Sequence, residues 1–338
     1  MKSGNRSIGS FSAALNRVSA LLALTILLIV SPLAARGAEK VVICYASASS
    51  ALVPTAKLQG YYAAEGIDAE LRLFPSGRQA LEAMFGGECG LVTVADAPVA
   101  DASLRRNDFR IVATIAVVND FDKIIVRGDR GIRAPADLLG RRIAVPQYTS
   151  AHYFLDVFLV ANGLAAQDVI RVFLSAQEAA PAFRRGDVDA VAQWEPAIQL
   201  LKREFGSKAN VLSAPGLHVM PLLLVGGQDY VIRNPAAIER VLRALLRAER
   251  YNRENASANK AQMARSYGLA PGDVDFMWSL NELRVSLDQS LPFILENTTR
   301  WAIGLLPPAQ RRTLPNFLDL IYFDGLRSVK PEAVTIIR

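Results

Sequence analysis

The chain has 338 residues, 51% of them hydrophobic and 21% charged, which suits a globular protein long enough for two compact units. Its formal net charge is +6, but Lys2, Arg6, Arg17 and Arg36 all precede residue 39 with no acid among them, so the remainder carries only +2. That balance, with basic residues spread along the chain and no interleaved aromatics, argues against a nucleic-acid platform, and a total of two histidines and two cysteines argues against a metal centre or a Cys–His nucleophile.

The N-terminus runs from basic residues (Lys2, Arg6, Arg17) through an apolar stretch, Val18 to Val30, to Pro32 and the small residues Ala34, Ala35, Gly37 and Ala38. This order predicts a secretory signal peptide over residues 1–38. No cysteine follows the apolar stretch, so a lipid anchor is not expected, and no other uninterrupted apolar run is long enough to span a bilayer. The expected location is the periplasm. Export permits a disulfide between Cys44 and Cys89. However, Cys44 falls late in one predicted strand and Cys89 just before another, so in flush parallel neighbours they would lie at opposite ends. Two buried free thiols are expected.

From residue 40, short apolar strands alternate with amphipathic helices. Strand Val41–Tyr45 leads through Ser49-Ser50 into a helix carrying Leu52, Ala56 and Leu58; strand Ala69–Phe74 leads through Ser76-Gly77 into helix Arg78–Phe85. Strand Leu91–Val94 leads through Asp96-Ala97-Pro98 into a further helix, and strand Ile111–Val118 follows. Asp122–Arg127 reads as a strand ending in the turn Gly128-Asp129-Arg130-Gly131. A second series then begins: strand Ile143–Val145, a break at Pro146, helix His152–Asn162, strand Val169–Phe173, helix Ala176–Arg184, strand Ala190–Gln193 and, after Trp194-Glu195-Pro196, helix Ala197–Phe205. Strand Pro221–Val225 is strongly apolar, and everything after residue 235 is expected to be helical, including Gln289–Ile303 and Pro308–Phe317.

Repeated β-α-β units predict an α/β protein of two lobes, each a mainly parallel sheet flanked by helices, joined by two crossover strands that act as a hinge. The expected division is lobe 1 over 39–126, lobe 2 over 127–220, and a return to lobe 1 with C-terminal helices over 221–338. In open parallel sheets the strand-to-helix junctions share one edge, where ligands bind. Ser49, Ser50, Ser76, Gly77 and Asp96 would line one wall of an inter-lobe cleft, and Tyr148, Thr149, Ser150, Trp194 and Glu195 the other. Thr149 and Ser150 are the most suggestive, because hydroxyls beside free N–H groups at a helix start make a preformed site for a polar or anionic small molecule.

Four stretches, in order, resemble the periplasmic substrate-binding proteins of the nitrate/sulfonate/taurine group, which also includes thiamine-precursor binders and has the type II periplasmic binding fold. They are Leu58 to Asp68, with Glu65-Gly66-Ile67-Asp68 at its end; Ser76-Gly77 through Gly87-Glu88 to Ala95-Asp96-Ala97-Pro98; Asp137-Leu-Leu-Gly140 through Pro146 to Thr149-Ser150 and Leu155; and Gly186-Asp-Val-Asp-Ala190 followed by Trp194-Glu195-Pro196. The resemblance covers nearly all of residues 40–230. It implies a solute held between lobes and handed to an ABC-type membrane permease with its cytoplasmic ATPase, by a monomer with no cofactor and no catalysis. Ala95 stands where many members have glycine, and Cys89 where a non-cysteine residue is usual.

Each candidate also has a structural reading. Ser49, Ser50, Ser76, Thr149 and Ser150 are good helix caps, Asp96 caps its own helix more often than it touches solute, and Trp194 could belong to the core. Arg78 could balance a sulfonate or be solvated. Glu195 discriminates best: facing the cleft, it would disfavour a simple anion and favour an amine-bearing ligand; as a cap and helix-dipole partner it would say nothing of the solute. An organosulfonate such as taurine or an alkanesulfonate is the expected solute. The alternatives are a thiamine-precursor pyrimidine, nitrate, or a role as ligand-sensing partner of a membrane receptor.

Overall fold

The computed structural model describes residue 1, residues 38–46 and residues 50–337. The expected signal peptide, apart from its two end residues, and Ser49 fall outside these residues. Among the described residues no helix is long and apolar enough to cross a membrane.

Eleven strands are described: β1 (Glu39–Tyr45), β2 (Ile67–Leu73), β3 (Leu91–Ala95), β4 (Phe109–Asn119), β5 (Asp122–Arg127), β6 (Arg142–Val145), β7 (Ile170–Phe173), β8 (Ala190–Trp194), β9 (Ala209–Leu212), β10 (Val219–Gly227) and β11 (Asn281–Ser286). They form two sheets, ordered β11-β4-β10-β3-β1-β2 and β7-β6-β8-β5-β9. Both are mixed. β1 runs parallel to β3, and β6 parallel to β7 and β8, whereas β10 is antiparallel to β3 and β4, and β5 antiparallel to β8 and β9. The antiparallel ladders arise because the chain leaves the first sheet from β4 into β5 and returns to it from β9 into β10.

Side-chain alternation explains the second sheet. Ile124 and Val126 of β5, Ile143 and Val145 of β6, and Ala190 and Ala192 of β8 share one apolar cluster with Phe154, Leu155 and Phe158 of the helix Ser150–Ala161. Their intervening neighbours Ile125, Ala144 and Val191 join the opposite cluster with Phe183 and Leu201. A period of two thus sends successive residues of each strand to two helical layers. The first sheet belongs to a larger cluster that also takes in the C-terminal helices. The helix Pro235–Glu254 contributes Ile238, Val241, Leu242 and Leu245, a spacing that puts one apolar stripe against the core.

Three expectations are corrected. First, Cys44 and Cys89 form a disulfide with Cα atoms 6.0 Å apart. The ladder is staggered rather than flush: Ile43 and Cys44, late in β1, pair with Leu91 and Val92 at the start of β3, which brings Cys89 beside Cys44. Second, the region after residue 235 is not all helical. Asn281–Ser286 is an edge strand antiparallel to β4, and the helix expected over Pro308–Phe317 is replaced by short 3-10 turns at Pro308–Gln310 and Phe317–Asp319. The helix Ser290–Gly304 is present close to its expected bounds. Third, β9 went unread as a strand between two glycine-marked turns. Only four residues long, it has too few positions to show a period.

The two crossovers lie side by side. Asn119 accepts a hydrogen bond through its side-chain oxygen from the Gly216 N–H at 2.8 Å, which joins the end of β4 to the segment before β10. Gly216 adopts φ +82°, a turn that a β-carbon would strain.

Candidate functional site

A cavity, part of it open to solvent, lies between the two sheets. Ser50, Ser76, Gly77 and Arg78 line it from the first lobe together with Thr93 and Pro98, and Thr149, Ser150 and Trp194 line it from the second. Phe121, Met220 and Leu222 of the crossover region supply apolar wall.

The helix starts at the cavity are well formed. Ser76, in extended conformation, accepts a hydrogen bond from the Gln79 N–H through Oγ at 3.2 Å, a cap worth about 1 kcal/mol. Because this hydroxyl accepts from the backbone, its own proton stays available to a ligand. A β-carbon at Gly77 would sit 3.4 Å from the Val94 backbone, an ordinary contact. The Ser50 and Thr93 hydroxyls pair at 2.7 Å. Across the cleft, Thr149 donates its hydroxyl proton to the Pro146 carbonyl at 2.6 Å, and Ser150 donates to Asp122 Oδ1 at 3.0 Å. These two hydroxyls are held in place from behind.

Arg78 supplies charge. Its guanidinium meets Asp101 at 3.0 Å and lies over the Tyr148 ring at 5.0 Å. Asp101 is shared with Arg105 at 2.8 Å, and Glu82 Oε1 lies 4.0 Å from Arg78, so two guanidinium groups are matched by two carboxylates. As the cation at the cavity lining, Arg78 offers N–H donors to an anionic group. The sequence left Arg78 open between a solvated position and the cleft; its placement at the lining decides for the latter.

Three candidates do not line the cavity. Glu195 is only 1% exposed; its Oε1 lies 3.3 Å from Lys123 Nζ, and its Oε2 accepts from the Gln199 N–H at 2.9 Å. Burial raises its pKa, against the pull of Lys123. It therefore acts as a buried ion-pair and capping residue, and the amine-selecting role loses its footing. Asp96 does not cap its helix; fully buried, its Oδ2 accepts from the Thr298 hydroxyl at 2.8 Å and meets His218 Nε2 at 3.3 Å. Tyr148, at φ +55°, turns its ring beneath Arg78 and donates its backbone N–H to His152 Nδ1 at 3.3 Å.

A helix outside the two sheets also bridges them. Trp301, on the helix Ser290–Gly304, donates its indole N–H to Asp156 Oδ2 at 2.8 Å and stands edge-on to His152 and Tyr153 of the helix Ser150–Ala161. No pattern of spacing marked Trp301 or His218, because the partners named here lie more than 60 positions away in the chain. A lone histidine in a glycine-containing turn carries no local signal of its neighbours.

Among known proteins, the sequence profile of the family described as NMT1/THI5 like matches residues 48–259. The taurine-binding periplasmic protein of Escherichia coli K12 is 24% identical over 220 residues, covering 62% of this chain and 67% of that protein. A putative aliphatic sulfonates-binding protein of the same organism is 28% identical over 196 residues, 58% of this chain and 61% of its relative. Among solved structures, the alkanesulfonate-binding protein of Xanthomonas axonopodis pv. citri bound to MOPS superposes with a TM-score of 0.72 at 23% identity, covering 84% of this chain and 98% of the other. That likeness establishes the fold: two lobes of α/β structure around a cleft.

Proposed function

The chain belongs to the NMT1/THI5-like family, and from that premise we propose that it is a periplasmic solute-binding protein of an ABC importer that captures an organosulfonate in its inter-lobe cleft. Closure of the lobes about the two crossovers would trap the solute, and the closed form would deliver it to a membrane permease. The observation that carries this reading is a cavity lined by hydroxyls from both lobes, with the Arg78 guanidinium at its edge. The free hydroxyl proton of Ser76, the one left over by the Ser50–Thr93 pair and the Arg78 guanidinium suit the oxygens of a sulfonate, while Trp194, Phe121 and Met220 suit the carbon chain behind it. The names of the matched relatives point to the same ligand class. In this reading the protein is a monomer that performs no catalysis and holds no cofactor, the signal peptide is removed on export, and the lobe boundaries fall at the crossovers near residues 120 and 218.

Titration calorimetry with taurine, ethanesulfonate, MOPS, nitrate and an aminopyrimidine tests the assignment. Binding of at least one sulfonate is expected, with Arg78→Ala weakening it by about tenfold or more through loss of a charge-assisted contact. Binding of nitrate or the pyrimidine alone would move the protein to another ligand class, and no binding at all would remove the proposal. Burial of Glu195 away from the cavity leaves the amine-bearing alternative without the residue that favoured it.

A further inference from the structure

Behind the cleft lies a buried cluster that solute capture does not itself call for. His218, just ahead of β10, places Nε2 3.3 Å from Asp96 Oδ2 and Nδ1 3.4 Å from Asp122 Oδ2. The second contact is an ion pair rather than an aligned hydrogen bond. The three side chains are almost wholly buried, at 4%, 0% and 2% exposure for His218, Asp96 and Asp122. Each comes from a different part of the fold. Asp96 opens the helix that follows β3 in the first lobe, Asp122 opens β5 just past the first crossover, and His218 lies in the second crossover. The helix Ser290–Gly304 adds Thr298, whose hydroxyl donates to Asp96, and Tyr153 packs edge-on against the imidazole at 4.8 Å.

Two buried carboxylates facing one another are unfavourable unless a cation separates them. Burial opposes charge on His218, but Asp96 and Asp122 outweigh it and raise the imidazole pKa to about 10. The ring is then an imidazolium at neutral pH. The contacts continue to the cavity: Asp122 uses Oδ2 for the imidazolium and Oδ1 to accept the proton of Ser150, a cavity-lining hydroxyl. A change at His218 therefore reaches the cleft wall in two steps, through atoms that are each in contact.

We propose that His218 is a positioning residue: clamped between Asp96 and Asp122, it ties the two crossovers to the first lobe and, through Asp122, which holds the Ser150 proton, fixes the Ser150 oxygen as an acceptor facing the bound solute. The effect on the solute rests on the solute-binding reading, whereas the clamp on the crossovers does not.

The test is a double-mutant cycle of His218→Gln and Ser150→Ala, read by calorimetry with taurine and ethanesulfonate. It is accompanied by the inter-lobe distance distribution of the unliganded protein, measured by spin labels at Leu73→Cys and Leu139→Cys, two exposed positions in separate lobes. H218Q should weaken taurine binding by about tenfold and ethanesulfonate binding less, because only taurine has a donor for the Ser150 oxygen, and the double variant should bind taurine no more weakly than the worse single variant, because both act on that one oxygen. The distance distribution of unliganded H218Q should broaden. Losses that multiply in the double variant would overturn the route through Ser150, and an unchanged distribution would overturn the clamp. Should H218Q not fold, the pair D96N and H218Q together, which removes one buried charge of each sign, takes its place in the same cycle. If the unmodified protein binds no sulfonate, the ligand assignment fails while the distance measurement still decides the clamp.

Discussion

His152 and His218 stand at either end of a short aromatic run, with Tyr153 against His218 and Trp301 against both Tyr153 and His152. Both imidazoles are nearly inaccessible, yet their protonation differs. Burial, reinforced by the charge of Arg171, lowers the His152 pKa to about 3, whereas Asp96 and Asp122 overcome burial at His218. A carboxylate is near His152 too: Asp156 Oδ2 lies 3.8 Å from its Nε2. But Asp156 is already engaged by Arg171 at 2.7 Å and by the Trp301 indole, so it has little left to give an imidazolium. The hydrogen bond that His152 Nδ1 accepts from the Tyr148 N–H also requires that nitrogen to be unprotonated. A nearby carboxylate charges a buried histidine only when no stronger cation has claimed it.

The largest expected effect on this contrast comes from Asp96→Ala. It leaves a buried imidazolium with one partner and should cost about 3–5 kcal/mol in urea unfolding at neutral pH. A loss below 1 kcal/mol would mean that His218 had simply become neutral. Next is Trp301→Phe, which keeps the aromatic packing but removes the donor to Asp156, for about 1.5–3 kcal/mol by the same measurement. It should leave His218 unaffected, since the two clusters share only ring contacts.

The pH dependence is smaller per unit but separates the two histidines by sign. His218, raised from 6.5 to about 10, contributes stability that is complete below pH 6.5 and is lost as pH rises toward and through 10. His152, lowered from 6.5 to about 3, is the reverse: its burial is tolerated above pH 6.5, and stability falls as pH drops from there toward 3, because the unfolded chain takes up the proton first. Each limb has a slope of at most about 1.4 kcal/mol per pH unit. Unfolding of the His152→Phe variant from pH 4 to 9 should show a flattened acid limb and an unaltered alkaline one. If the alkaline limb changed instead, the two assignments would have to be exchanged.

What could be read from the sequence follows from how far each signal reaches along the chain. The junctions at Ser50, Ser76, Thr149 and Ser150 are local: an apolar strand, a small polar residue and an amphipathic helix lie within a dozen positions, and the structure brings these four to one cavity. Glu195 was also placed correctly beside a helix start, but its direction depends on Lys123, 72 positions earlier, and no spacing rule relates them. β11 was hidden because an edge strand with Glu282 and Arg284 on its open face looks like one side of a surface helix. The disulfide was misjudged for a geometric reason, since residue type fixes the stagger of two strands less firmly than it fixes that they pair. His218 lay wholly outside reach, in a turn whose sequence reports only that it is a turn.

The placement of the tryptophans has a spectroscopic consequence. The chain has three. Trp194 forms part of the cavity wall, Trp301 spans from the helix Ser290–Gly304 to the second lobe, and Trp278 lies beside Lys260, its ring centroid 5.8 Å from the ammonium. The emission of Trp194 will therefore report occupancy, that of Trp301 will report separation of the lobes through the loss of its bond to Asp156, and Trp278 will serve as an internal reference. Single-tryptophan variants would turn the protein into its own dye-free sensor, able to tell an empty closed state from a filled one.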